Sequence, residues 1–212
     1  MCFCLWCSKR RYRTAQDVPA DFYRSQRQLS GYIAGVPDGD GLRIFHQPRS
    51  DSILTGCLAP GKPNFKRIDL RNETISVRLA GVDAPEMAHF GNAEQPYAKE
   101  AVNFLKGYLH YHCRFRLYRV DQYGRAVASV QVRRFPWWMP WPWGRWKDLG
   151  TEMLESGLAC VYRGMGAEYG GRQKEYETAE SKAKRRKKGM WSLKQVTLPG
   201  EYKKAIREGG TA

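Results

Sequence analysis

Ten residues constrain this chain more than any others: Val77-Arg78-Leu79-Ala80-Gly81-Val82-Asp83-Ala84-Pro85-Glu86. The first half alternates as a strand does, with Arg78 and Ala80 on one face and Val77, Leu79 and Gly81 on the other. Thr74-Ile75-Ser76 extends that strand backwards. The second half changes abruptly into a turn that carries Asp83 and Glu86, and Pro85 fixes a backbone angle between them. A guanidinium and two carboxylates are therefore expected as neighbours on short, stiff backbone at the rim of a sheet.

Such a rim has the parts for metal-assisted work on a phosphodiester. A hard divalent cation takes carboxylate oxygens, a water nucleophile needs a base, and charge gathering on phosphate oxygens needs fixed N–H donors. Asp83, Glu86 and Arg78 can supply one each. Read alone, the same ten residues also describe an Asp that caps a turn, a solvated Glu and a surface Arg, so the rest of the chain has to decide.

The whole sequence leans toward a polyanion. Its 212 residues carry 36 Lys and Arg against 21 Asp and Glu, a formal net charge of +15, which suits nucleic acid or an anionic membrane. The six cysteines show no regular pairing, and Cys57, Cys113 and Cys160 are scattered as small buried residues would be; a reducing, intracellular setting is expected. No secretory signal is evident, and no segment approaches the roughly 20 apolar residues of a membrane-spanning helix. The first residues place Cys2, Cys4 and Cys7 in an apolar heptapeptide before a basic run. They fit a lipidated or an unmodified tail, and a poor organelle-targeting sequence.

The remaining periodicities predict one domain with flanking tails: residues 1–29 as a Cys/Arg-rich tail, 30–191 as the folded domain and 192–212 as a C-terminal tail. Strands are expected over Ser30–Val36 and Gly41–His46, joined by Pro37-Asp38-Gly39-Asp40, an Asp-Gly hairpin signal that leaves Asp40 entering the second strand. Residues 47–72, rich in Pro and Gly, read as an insertion. A core-facing helix is expected from Gln95 to Tyr108, then strands His112–Val120 and Arg125–Arg133 around Asp121-Gln122-Tyr123-Gly124. Helices follow over Leu149–Ser156 and 171–188, with Leu158–Arg163 as an extended return between them. Residues 135–146 hold Trp137, Trp138, Trp141, Trp143 and Trp146 between three prolines, which forbid a regular helix or a paired central strand and predict a loop. That loop reads either as a private mini-core or, with Cys2, Cys4 and Cys7, as a surface for anionic membrane.

Five strands, a long helix between the third and fourth, and helices after the fifth define an α+β chain built on a five-stranded OB-fold, a Greek-key β-barrel with about three helices. With Asp38-Gly39-Asp40, the Val77–Glu86 stretch and Asp121-Gln122-Tyr123-Gly124-Arg125 in this order, the sequence resembles the thermonuclease, or staphylococcal nuclease-like, family over about Ser30 to Trp191. Ala88-His89-Phe90-Gly91 and Gln95-Pro96-Tyr97-Ala98-Lys99-Glu100-Ala101 look most like its fungal branch of probable mitochondrial-membrane endonucleases, whose members usually begin with a spanning helix. The resemblance implies a Ca2+-dependent endonuclease that hydrolyses DNA and RNA with little sequence preference, leaving 3′-phosphate and 5′-hydroxyl ends. It implies calcium ligands at Asp40, Asp83 and the carbonyl of Ala84, a general base at Glu86, phosphate-gripping forks at Arg78 and Arg125, and substrate contacts at Tyr123 and Tyr162. No obligate protein partner is evident. The alternatives are a non-catalytic OB-fold module that only binds nucleic acid, and a membrane-associated scaffold; neither gives all five charged residues a task.

Overall fold

A computed structural model describes residues 10–48, 63–88, 92–134 and 145–207. A short helix α1 (Ala20–Arg24) leads into strands β1 (Gln28–Gly35) and β2 (Gly41–His46), and β3 (Ile75–Leu79) and β4 (Val82–Asp83) follow. Helix α2 (Ala98–Lys106) separates these from β5 (His112–Val120), β6 (Ala126–Arg134) and β7 (Arg145–Asp148). Helix α3 (Leu149–Ser156), β8 (Cys160–Val161), α4 (Gln173–Arg185) and α5 (Pro199–Arg207) complete the described chain.

The main sheet runs β3-β2-β1-β5-β6-β7, and β3 also pairs with β6, so five strands close into a barrel. The closing pair is parallel and short, Val77 opposite Ala126, Arg78 opposite Val127 and Leu79 opposite Ala128. Its interior is made by the alternate residues that patterning selects: Leu42, Ile44, Ile75, Val77, Leu79, Phe115, Leu117 and Val130 are all buried. Helix α2 lays Ala101 and Leu105 on this core, and α3 adds Leu149, Met153 and Leu154. Strand β6 is buried on both sides, because a register shift between Leu117 and Arg119 turns Tyr118 inward, where it packs with Ala80 and Val127 and its hydroxyl meets Ser129 Oγ at 2.9 Å.

The α+β barrel is the expected fold, and four local expectations change. The Val77–Gly81 run is not one strand: Gly81 has φ +73°, and a side chain there would come within 2.8 Å of Tyr169 and Tyr176, so the chain kinks and resumes as β4. Residues 10–27 are more than a tail, since Tyr12, Ala15, Val18 and Tyr23 are buried in the main core. Trp146 belongs to β7, opposite Arg133, with the Arg114 guanidinium 4.1 Å above its ring; the outer edge of β6 offered a partner the proline count could not reveal. The 192–212 tail contains α5, beyond the three helices foreseen. Cys2, Cys4, Cys7, Cys57, His89, Trp137, Trp138, Trp141 and Trp143 lie outside the described residues. No helix among the described residues is long and apolar enough to cross a membrane.

The N-terminal arm is tied to the barrel by a buried histidine. His46 is 2% exposed and its Nδ1 accepts the Tyr12 N–H at 2.9 Å. Burial, helped by the nearby Arg11 guanidinium, pushes its pKa down from 6.5 to about 4. A histidine depressed in this way contributes stability that is complete above its unfolded pKa and is lost as pH falls toward the folded one. Between pH 7 and pH 4.5 the wild type should therefore lose about 2–3 kcal/mol more than a His46→Asn variant. Denaturant melts at both pH values check this, and equal losses in the two proteins would remove His46 as the titrating group.

Candidate active site

Two turns and one barrel seam bring the charged residues together. The Asp38-Gly39-Asp40 turn lies directly against the loop after β4: a side chain on Gly39 would sit 2.8 Å from the Ala84 Cβ, so only glycine permits this approach. Asp40 stops just short of β2, and its carbonyl accepts the Leu79 N–H at 2.9 Å. The parallel register of β3 on β6 then sets Arg125, one residue before β6, at the same rim as Arg78.

Arg78 is the hub. Its Nη2 lies 3.1 Å from Asp40 Oδ2 and 3.0 Å from Asp83 Oδ1, and its guanidinium stands 5.3 Å from the centre of the Tyr162 ring. Burial alone would lower the Arg78 pKa, but the two carboxylates more than offset it and raise it. Asp40 is the converse case: burial pushes it up to about 6 despite Arg78. Burial also raises Asp83, against the pull of Lys203 and Arg78. Two largely buried carboxylates thus share one guanidinium, and each holds its proton more readily than a free aspartate does.

Asp83 is set in place from behind. Its strand partner is Cys160, and the neighbouring Val161 N–H donates to Glu180 Oε1 of α4 at 2.9 Å. Glu180 is itself held by Arg163 and Lys184, each at 2.9 Å. Glu86, more open than Asp83, is fixed through its backbone: buried Gln95 accepts the Glu86 N–H through Oε1 at 2.9 Å, and the Gln95 N–H donates to the Glu86 carbonyl at 2.9 Å.

Arg125 is oriented by Asp121, whose carboxylate takes the Arg125 Nε–H and N–H at 2.8 Å each. Burial acts to raise Asp121, yet these hydrogen bonds hold it below the usual carboxylate range. Arg125 Nη1 reaches to 3.9 Å from Asp38 and its guanidinium lies 5.6 Å from the Tyr123 ring centre. A cleft of about 610 Å3 opens here, lined by Glu86, Tyr123, Arg125, Arg43 and Arg71 and by Thr14, Ala15 and Gln16 of the N-terminal arm. A second, of about 230 Å3, is lined by Arg78, Tyr123, Tyr162 and Arg119. Tyr123, 73% exposed, borders both.

The structure brings Asp40, Arg78, Asp83 and Glu86 into one charge network, with Arg125 beside it, 3.9 Å from Asp38, and buried Ala84 against Gly39. Reasoning from sequence missed Gln95, Glu180, Asp121 as the orienting partner of Arg125, and above all Lys203. Lys203 Nζ lies 2.9 Å from Asp83 Oδ1 and 2.7 Å from Glu86 Oε1. Among the described residues no group of three or more His, Cys, Asp or Glu is arranged as a metal cage. By donor type the site fits a hard divalent cation, since Asp40, Asp83 and Glu86 offer carboxylate oxygens, two of which already have Lys203 as a partner.

Comparison with known proteins identifies the family. Residues 76–193 match the family model described as staphylococcal nuclease homologue. A probable endonuclease LCL3 of Candida tropicalis is 39% identical over 203 residues, spanning 94% of this chain and 82% of the relative. Its counterpart in Scheffersomyces stipitis is 41% identical over 202 residues, with 94% and 82% covered. The one in Aspergillus flavus is 44% identical over 206 residues, with 92% and 72% covered. These relatives, like the branch singled out in the sequence, are fungal.

Gln95 gives the site a test that needs no substrate. Its side chain also donates through Nε2 to the Thr197 carbonyl at 3.0 Å. Gln95→Leu keeps the bulk but leaves the Glu86 N–H and the Thr197 carbonyl unpaired, and should cost about 1–3 kcal/mol in urea unfolding. A variant as stable as wild type would mean that neither bond supports the fold.

Proposed function

The chain belongs to the staphylococcal nuclease-like family, and on that premise we propose that it is a calcium-dependent endonuclease, cleaving phosphodiester bonds of DNA, RNA or both with little sequence preference. The observation that carries the reading is Arg78 bridging Asp40 and Asp83, with Glu86 and Arg125 at the same rim. In this reading Asp40, Asp83 and the Ala84 carbonyl are the calcium ligands. Calcium, when bound, supplies a hard positive charge beside the phosphate.

The remaining roles belong to the side chains. Arg78 and Arg125 each offer a planar fork that meets two phosphate oxygens at once and strengthens as charge builds on them. Glu86 takes a proton from the water that attacks phosphorus. Tyr123 and Tyr162, beside the two arginines, contact base or phosphate in this reading. Arg43 and Arg71 extend the positive wall of the larger cleft. With a net charge of +15 the protein gathers phosphates without reading bases, so binding weakens with salt.

Glu86→Gln should keep the fold and lower turnover by about two to four powers of ten. Arg78→Lys and Arg125→Lys should each lose most activity although the charge remains, because an ammonium has no fork. The assay is cleavage of plasmid and of RNA by purified protein, with calcium and with chelator. Folded variants that cut as wild type does would remove these residues from the chemistry. Nucleic-acid binding without cleavage under any condition would favour the non-catalytic OB-fold module.

A further inference from the structure

Helix α5 lies outside the span matched by the family model, yet it reaches the centre of the site. Tyr202 is buried and its hydroxyl donates to the Ala93 carbonyl. The segment just before α5 is held by Gln95 through the Thr197 carbonyl, and the Leu198 N–H is capped by Glu201 at 3.1 Å. These contacts dock α5 on the stretch between Glu86 and α2 and direct Lys203, only 29% exposed, at the carboxylates.

The ammonium takes oxygens that the proposed chemistry needs. Asp83 Oδ1 receives both Arg78 at 3.0 Å and Lys203 at 2.9 Å, and Glu86 Oε1 receives Lys203 at 2.7 Å. An ammonium at that distance competes with a divalent cation for Asp83, since each repels the other in a half-buried pocket where Coulomb energies are large. A Glu86 carboxylate engaged by Lys203 is likewise a weaker acceptor for the proton of water. Closed, Asp83 and Glu86 each already have a positive partner without any metal.

We propose that Lys203 is a built-in competitor for the divalent cation and that α5 is the latch that carries it. The closed latch pairs Lys203 with Asp83 and Glu86. Cation binding displaces it and frees Glu86. This rests on the reading of Asp40 and Asp83 as a cation site and adds a reciprocal coupling: whatever holds α5 down weakens cation binding, and the cation weakens the hold on α5.

The test uses full-length, metal-stripped protein and calcium itself, followed by calorimetry and by hydrogen exchange. Lys203→Met should bind calcium about tenfold tighter or more, within the usual range of such couplings. Lys204→Met, a charge change next door on the same helix, should stay within about twofold of wild type, well short of that coupling scale. Tyr202→Phe loosens α5 while leaving every charge in place, and should shift affinity in the same direction by a smaller factor. In wild type, calcium should speed amide exchange across residues 199–207. Equal calcium affinity in wild type, Lys203→Met and Tyr202→Phe overturns the latch and leaves the cation site standing, as does equal tightening by Lys203→Met and Lys204→Met. Unchanged exchange in α5 on calcium saturation also overturns it. If none of the proteins binds calcium, the cation site falls and the latch falls with it.

Discussion

The parallel seam between β3 and β6 is the contact on which the architecture turns. Three residues on each side close the barrel, and they belong to segments separated by α2 and β5. Without this seam β3 would end as an edge strand and its last residues would have no fixed neighbour. With it, the two halves of the proposed site, one around Arg78 and the other around Arg125, come to a common rim. On the other face of β6, Ala80 at the end of this seam and Tyr118 cover Val127, and the Tyr118 hydroxyl meets Ser129, so both are buried along with Ala126, Ala128 and Val130.

The charge at this rim is arranged against the grain of folding. Asp83 and Asp40 are largely withdrawn from water, so their ionised forms are disfavoured, and compensation comes from Arg78 and Lys203 rather than from solvent. Such clusters are weak contributors to stability. They are held in place by apolar and hydrogen-bonded parts of the fold that gain nothing from them: Glu180 clamps β8 and hence β4, Asp148 caps α3 at Thr151 and takes the Tyr176 hydroxyl, and Gln95 fixes the Glu86 backbone. The desolvation cost of the site is offset elsewhere in the fold.

What could be read from the sequence follows distance along the chain. The Asp-Gly turn before β2, the Leu149–Ser156 helix with its glycine stop, and the β5–β6 hairpin are local decisions made by residues within a few positions of one another. So are Asp40, Arg78, Asp83, Glu86 and Arg125, because a strand, a turn and a hairpin present them. Gly81 escaped because alternation looked continuous through it, while its reason, the rings of Tyr169 and Tyr176, lies almost a hundred residues downstream. Lys203 escaped for the same reason in stronger form. It is separated from Asp83 by 120 positions, inside a polar stretch that offers nothing locally to mark one lysine from its neighbours.

Strand β1 carries a consequence for how this protein can be divided. It sits in the middle of the sheet, paired on one side with β2 and on the other with β5, yet both β1 and β2 precede the segment that the family model recognises. The matched span is therefore not a folding unit, and it also leaves out Asp40 and Lys203 of the site. Excised as residues 76–193, it would present β3 and β5 as two bare hydrogen-bonding edges flanked by apolar side chains such as Val77, Phe115 and Leu117, a template for intermolecular strand pairing. A recognisable signature and an autonomous domain have different borders in this chain, and a fragment cut at the first would be lost to aggregation before its chemistry could be assayed.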